Sequence, residues 1–268
     1  MGFLFYFYIY NILTKYMKVI HKFNDHSNYS VGDYPKEVSF CAAQNHVHFD
    51  AKPYSAEIEY LESTGTQYID LNYFACGKDI VELRLRSTTN NWCYSSNEST
   101  QSTYPLWNPF FGMEVTSQYK FWATYVRSSS NNDYQIWFYN QSSGSAVYPN
   151  YKPVLSASTV MDWYTYKLNQ KDVYRDGTKL TRSTTGGNIS DATLTQRKIY
   201  LFAVNKEDPI GNTSKIQLAW FKLSNPSNNL VFDMIPVRVG TVGYMYDKIS
   251  GKLFGNVGTG NFVLGNDK

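Results

Sequence analysis

Along most of this chain hydrophobic and polar residues alternate with a period of two, the repeat of a strand that buries one face. The clearest run spans 80–86, where Val81, Leu83 and Leu85 alternate with Glu82, Arg84 and Arg86. Further strands are predicted over 68–71, 110–115, 119–126, 134–140, 163–168, 199–204, 216–223 and 230–235. Between them lie Ser, Asn, Gly and Thr clusters at 87–103, 127–133, 140–146 and 182–192, which read as loops. No stretch of ten or more residues carries helical periodicity. Short strands at this spacing predict an all-β fold, two antiparallel sheets packed face to face. The expected interior comprises Val81, Leu83, Leu85, Ile136, Phe138, Leu168, Leu201, Ile216, Leu218, Phe232 and Ile235. At ~1.5–3 kcal/mol for each buried side chain, such a core folds without metal or disulfides.

Turn chemistry supports the same reading. Asp247-Lys248-Ile249-Ser250-Gly251 lies between two aromatic-rich strands. Asp hydrogen-bonds its own backbone two residues on and Gly accepts a left-handed conformation, so this is a hairpin. Asp176-Gly177 between Val173-Tyr174-Arg175 and Thr178-Lys179-Leu180 is a second.

Composition narrows the function. Aromatic residues make up 17% of the chain, 24 of them Tyr, against 18% charged residues. Tyr fits pleated strands and recognition surfaces alike. The formal net charge is +3 with no clustered basic stripe, so no nucleic-acid partner is expected. Cys41, Cys76 and Cys93 form neither a metal spacing nor an even disulfide framework, although Cys76 and Cys93 could pair.

The N-terminal 54 residues differ from the rest. Residues 3–13 are the one long apolar run, and eleven residues fall short of the ~20 that span a bilayer. Lys15 and Lys18 follow this run rather than precede it, the reverse of a secretory signal. Residues 1–16 therefore read as a hydrophobic leader or an artefact of start-codon choice. Residues 18–54 are polar, with one small strand pair expected at 37–41 and 45–49. His46 and His48 would share a strand face, but with no third ligand at sensible spacing they read as a surface pair. The expected organisation is an attachment arm over 1–54 and a single β domain over 55–268.

The C-terminal pattern Gly243-Tyr244-Met245-Tyr246-Asp247-Lys248-Ile249-Ser250-Gly251-Lys252-Leu253-Phe254-Gly255-Asn256 resembles that of concanavalin A-like, laminin-G-like jelly rolls. These modules occur in surface proteins of gut Bacteroidetes and in virion proteins of their phages. Residues 57–70, Glu-Ile-Glu-Tyr-Leu-Glu-Ser-Thr-Gly-Thr-Gln-Tyr-Ile-Asp, resemble the opening strand pair of that group, and 162–180 resemble its central Asp-Gly hairpin. The resemblance covers roughly 55–265 and implies a two-sheet antiparallel jelly roll. It leaves the ligand open, because this fold hosts lectins, adhesins, hydrolases and purely structural modules.

Catalytic constellations are missing from the sequence pattern. Laminarinase-type hydrolases on this fold carry Glu-x-Asp-x-x-Glu on one strand, and no such run exists here. There is no Gly-x-Ser-x-Gly, and all four histidines fall before residue 50. A non-enzymatic protein is expected. Calcium is the one candidate cofactor, with Asp133, Glu207 and Asp208 as oxygen donors in predicted loops. A sugar would stack on an aromatic ring and give its hydroxyls to Asn or Asp. The candidate contacts are Trp92, Tyr104, Trp107 and Asn108 in the loop region, with Trp122 and Trp137 on strands opposite in phase to Phe121 and Phe138. The two strand tryptophans could equally fill the core.

The sequence thus predicts a glycan-binding adhesion module on a phage virion, as tail fibre, head fibre or decoration, or on a bacterial cell surface. Its partners would be cell-surface polysaccharide and neighbouring virion or surface subunits reached through the arm, with a homo-oligomer as a further option. The alternatives are a structural decoration protein without a ligand and a polysaccharide hydrolase.

Overall fold

The computed structural model describes residues 38–41, 46–49, 52–90, 107–116, 119–127, 134–141, 150–170, 172–182, 197–206 and 211–268. The chain divides into two units, 1–53 and 54–268. In the first, Val38–Cys41 pairs antiparallel with His46–Phe49, Cys41 standing opposite His46 and Ser39 opposite His48. This is the small strand pair that the sequence predicts.

The second unit is a sandwich of antiparallel sheets, and among the described residues it contains no α-helix, only the single 3₁₀ turn Thr159–Met161. No helix among these residues is long and apolar enough to cross a membrane. A seven-stranded sheet runs, edge to edge, Thr181–Arg182, Asn150–Leu155, Tyr134–Gln141, Tyr119–Arg127, Trp107–Thr116, Tyr200–Leu201 and Ile69–Asp70. An eleven-stranded sheet runs Thr178–Lys179, Asp172–Arg175, Tyr164–Asn169, Ile80–Ser87, Ile216–Ser224, Leu230–Val239, Val242–Asp247 and Lys252–Phe254. Ala56–Glu57, Leu61–Glu62 and Val263–Leu264 join it where Ile216–Ser224 and Leu230–Val239 diverge.

Alternation builds the core. Val81, Leu83 and Leu85 are fully buried, while Glu82, Arg84 and Arg86 on the same strand are only half-buried. From the facing sheet Phe111, Met113, Phe121, Ala123, Tyr125, Ile136 and Phe138 close the interior. Ring edges meet ring faces within it. Phe110 lies 4.6 Å from Tyr125 at 78°, and the Tyr125 and Tyr166 hydroxyls are hydrogen-bonded at 2.9 Å. Burial pushes both phenols well above their ordinary pKa, so each stays a neutral donor and acceptor.

Both expected hairpins form. Asp176 and Gly177 take φ of 49° and 80°, the primed-turn geometry that matches strand twist. At the other, Asp247 is buried and its carboxylate accepts from the Ser250 hydroxyl at 2.6 Å and from the N–H groups of Asp233, Ile249 and Ser250.

The structure departs from the sequence reading in four places. Leu61–Glu62 and Ile69–Asp70 do not pair with each other; the first joins the eleven-stranded sheet and the second the seven-stranded one. The crossing between them is stabilised by Gln67, whose Oε1 accepts from the Thr64 N–H at 2.8 Å. Ile235 is half-buried rather than core, because the phase of its strand turns Phe232 and Met234 inward. The run 199–204 is broken in two at Phe202, which has φ +64°. Asn150–Leu155 is a strand that the sequence reading did not anticipate. Cys76 is a buried thiol, and the proposed partner Cys93 lies outside the described residues.

Candidate functional site

Two aromatic doublets, Phe121-Trp122 and Phe138-Tyr139, lie on neighbouring strands of the seven-stranded sheet. In a strand, successive side chains leave on opposite faces, so each doublet sends one ring to each side. Phe121 and Phe138 enter the main core; Trp122 and Tyr139 form a separate small cluster with Val204 on the sheet's other face. Trp122 stands directly opposite Tyr139, their rings stacked with centroids 4.1 Å apart at 28°. Trp137 extends the row, half-buried, 6.0 Å from Tyr139, with its indole N–H donating to Gln135 Oε1 at 3.1 Å.

The backbone makes room for this stack at Gly112. It lies opposite Trp122 in the pairing with φ +144°, and a Cβ there would overlap the Trp122 Cβ and the Phe121 carbonyl. Electrostatics then fix the indole. Glu114 accepts from Trp122 Nε1 at 3.0 Å through Oε2 and pairs with Lys120 Nζ at 3.1 Å through Oε1. The Lys120 ammonium sits 5.2 Å from the Tyr139 ring centroid, in cation–π range. Lys206 approaches the same carboxylate at 3.7 Å, and burial holds its pKa below the usual lysine value despite the Glu114 charge. The segment carrying Val204 and Lys206 is held by backbone bonds from Asn205 N–H to Gly112 O at 3.0 Å and from Glu114 N–H to Asn205 O at 2.9 Å.

The sequence candidates now have places. Trp122 and Trp137 share this face, but Trp122 is only 1% exposed and presents no ring surface to a ligand. It stacks on Tyr139 in the small cluster, the core-filling role that the sequence left open for it beside ligand contact. Asn108, 1% exposed, points the other way, into the space between the sheets. Its Nδ2 donates to Ser87 Oγ at 2.9 Å and its Oδ1 accepts from the Lys215 N–H at 2.6 Å, so it fastens the two sheets and does not meet solvent. Trp107 occupies the strand position opposite Val126. Trp92, Tyr104 and the calcium candidates Asp133, Glu207 and Asp208 lie outside the described residues.

Sequence reading missed Tyr139, Glu114, Lys120 and Gly112. The signal was present in the doublets, since two adjacent large rings on a strand must serve both faces. Among the described residues no three His, Cys, Asp or Glu side chains converge as a metal site would require.

No family model matches this chain, and no curated protein matches it. Among solved structures it is similar to one from Bacteroides ovatus named as a "putative carbohydrate binding protein". That likeness has 10% sequence identity and a TM-score of 0.46, over 90% of this chain and 67% of the other. At that distance it assigns neither a family nor a ligand.

Proposed function

We propose that this protein is a non-enzymatic glycan-binding module, a concanavalin A-like, laminin-G-like jelly roll carried on a virion or bacterial surface by its N-terminal arm. The single observation supporting it is the aromatic row Trp122–Tyr139–Trp137 on the sheet face turned away from the main core. Its inner two rings are immobilised and its outer ring, Trp137, is half-buried beside the amide of Gln135. A fixed indole next to amide groups suits the apolar face and hydroxyls of a pyranose, because little side-chain entropy remains to be lost on binding.

Isothermal titration against the best hit from a glycan array tests this reading. Trp137→Ala should weaken binding at least about tenfold while leaving the thermal midpoint within a few degrees, as expected for a contact worth ~1.4 kcal/mol or more. The closed-over state of Trp122 and Tyr139 favours one rival, a module without a ligand in which these rings are a second small core. Under that rival the array is blank and Trp137→Ala changes stability alone.

A further inference from the structure

The outward face of the eleven-stranded sheet carries a different constellation, built around Arg84 and Arg86. They lie two apart on Ile80–Ser87, so both leave the strand on the side away from the core. Pairing sets Thr165 and Trp220 on either side of Arg84, and Gln217 beside Arg86. Both guanidiniums sit over one indole, with Cζ of Arg86 5.1 Å and that of Arg84 5.8 Å from the Trp163 ring centroid. Tyr60 flanks the same indole at 6.0 Å.

Their hydrogen-bond partners are neutral. Arg86 Nε donates to Gln217 Oε1 at 2.6 Å, and Arg84 Nη1 donates to Thr165 Oγ1 at 3.3 Å. The neighbouring carboxylates are already engaged: Glu82 by Lys167 at 2.9 Å, and Glu62 by the Gln217 amide at 2.5 Å. Among the described residues neither arginine forms an ion pair with a carboxylate. Two like charges held side by side, each oriented by a neutral group and an aromatic ring, repel each other until an anion arrives. Guanidinium edges in this arrangement match the paired oxygens of a carboxylate.

We infer that Arg84, Arg86 and Trp163 form an anion-binding site that takes the carboxylate of an acidic sugar, a uronate residue in a polysaccharide. The saccharide part rests on the glycan reading above; the anion part rests on the arginine geometry alone. The site lies on the other sheet from Trp137, so the two surfaces would bind independently of each other.

The test is titration of the full chain with a glucuronate oligomer, a neutral glucose oligomer of the same length and free sodium glucuronate, followed by tryptophan fluorescence. The glucuronate oligomer should bind with an affinity that falls as salt rises, and Arg84→Gln or Arg86→Gln should weaken it at least about tenfold. Arg86→Lys, which keeps the charge and loses the fork, should fall between wild type and Arg86→Gln. Binding of the acidic oligomer should survive Trp137→Ala, which separates failure at this site from failure of the aromatic row. Equal affinity of wild type and the Arg84→Gln/Arg86→Gln double variant for the glucuronate oligomer overturns the proposal. So does an equal loss of neutral-oligomer binding in that variant, or binding of free glucuronate with none of the oligomer.

Discussion

Gly112 faces Trp122 across the pairing at φ +144°, and the indole stacks only because no Cβ stands in its way. Gly112→Ala should therefore cost at least about 2 kcal/mol in denaturant unfolding, through strained backbone and a displaced ring. Asp79 couples the stability of the fold to pH. It is fully buried; Oδ2 accepts from the Cys76 N–H at 2.8 Å and the Tyr73 hydroxyl at 3.1 Å, while Oδ1 has no partner among the described residues. Burial raises its pKa from 3.8 to about 6, more than those two donors lower it. A carboxyl raised in the folded state binds its proton more tightly there than in the unfolded chain. Its stabilising contribution is complete below about pH 4 and is lost as pH rises through 6. The unfolding free energy should fall across that window by an amount on the order of 1–2 kcal/mol, and Asp79→Asn should flatten the slope. Asp247 differs, because every acceptor position shown is used. Asp247→Ala would leave the part-buried donors of this hairpin unpaired at a cost of about 1–2 kcal/mol, and Asp247→Asn less, both readable as shifts in midpoint.

At the scale of elements, legibility followed chemistry. The run 80–86 was plain because its two faces differ in kind, aliphatic against charged, and the Asp176-Gly177 and Asp247 turns because few residues tolerate those geometries. The faces of 119–127 and 134–141 were ambiguous because both are aromatic, so period two located the strands without saying which rings turn inward. Asn150–Leu155 escaped because Pro153 and a polar start disguise an ordinary strand. Phe202 escaped because nothing local marks a bulky residue for φ +64°; surrounding packing imposes it. Asn108 was legible as a polar group near aromatics, but its direction was set by a tertiary contact with Ser87 and Lys215 that no local pattern encodes. Its role is testable. Asn108→Ala should leave the Lys215 N–H without its acceptor between the sheets, while Ser87 keeps its bonds to Thr89, and cost about 2 kcal/mol, with Asn108→Asp recovering the acceptor alone.

For the whole molecule the sandwich was foreseeable and its surfaces were not. Alternation and turns implied two layers, whereas the placing of Trp122, Trp137, Trp163 and the arginine pair on particular outward faces depends on register between distant strands. Removing residues 1–53 should leave 54–268 able to fold and unfold in one cooperative calorimetric transition, because that unit holds its own core. One further property follows from where this unit is entered and left. Ile58 bridges Asp267 in antiparallel sense, and the Lys268 N–H donates to Glu57 O at 2.9 Å. Entry and exit strands thus lie side by side, so a tug on both loads these bonds one after another, like a zipper, rather than all together. A short linker from Lys268 back to Tyr54 would make the domain a closed loop of chain that could be reopened at the exposed Asp176-Gly177 turn.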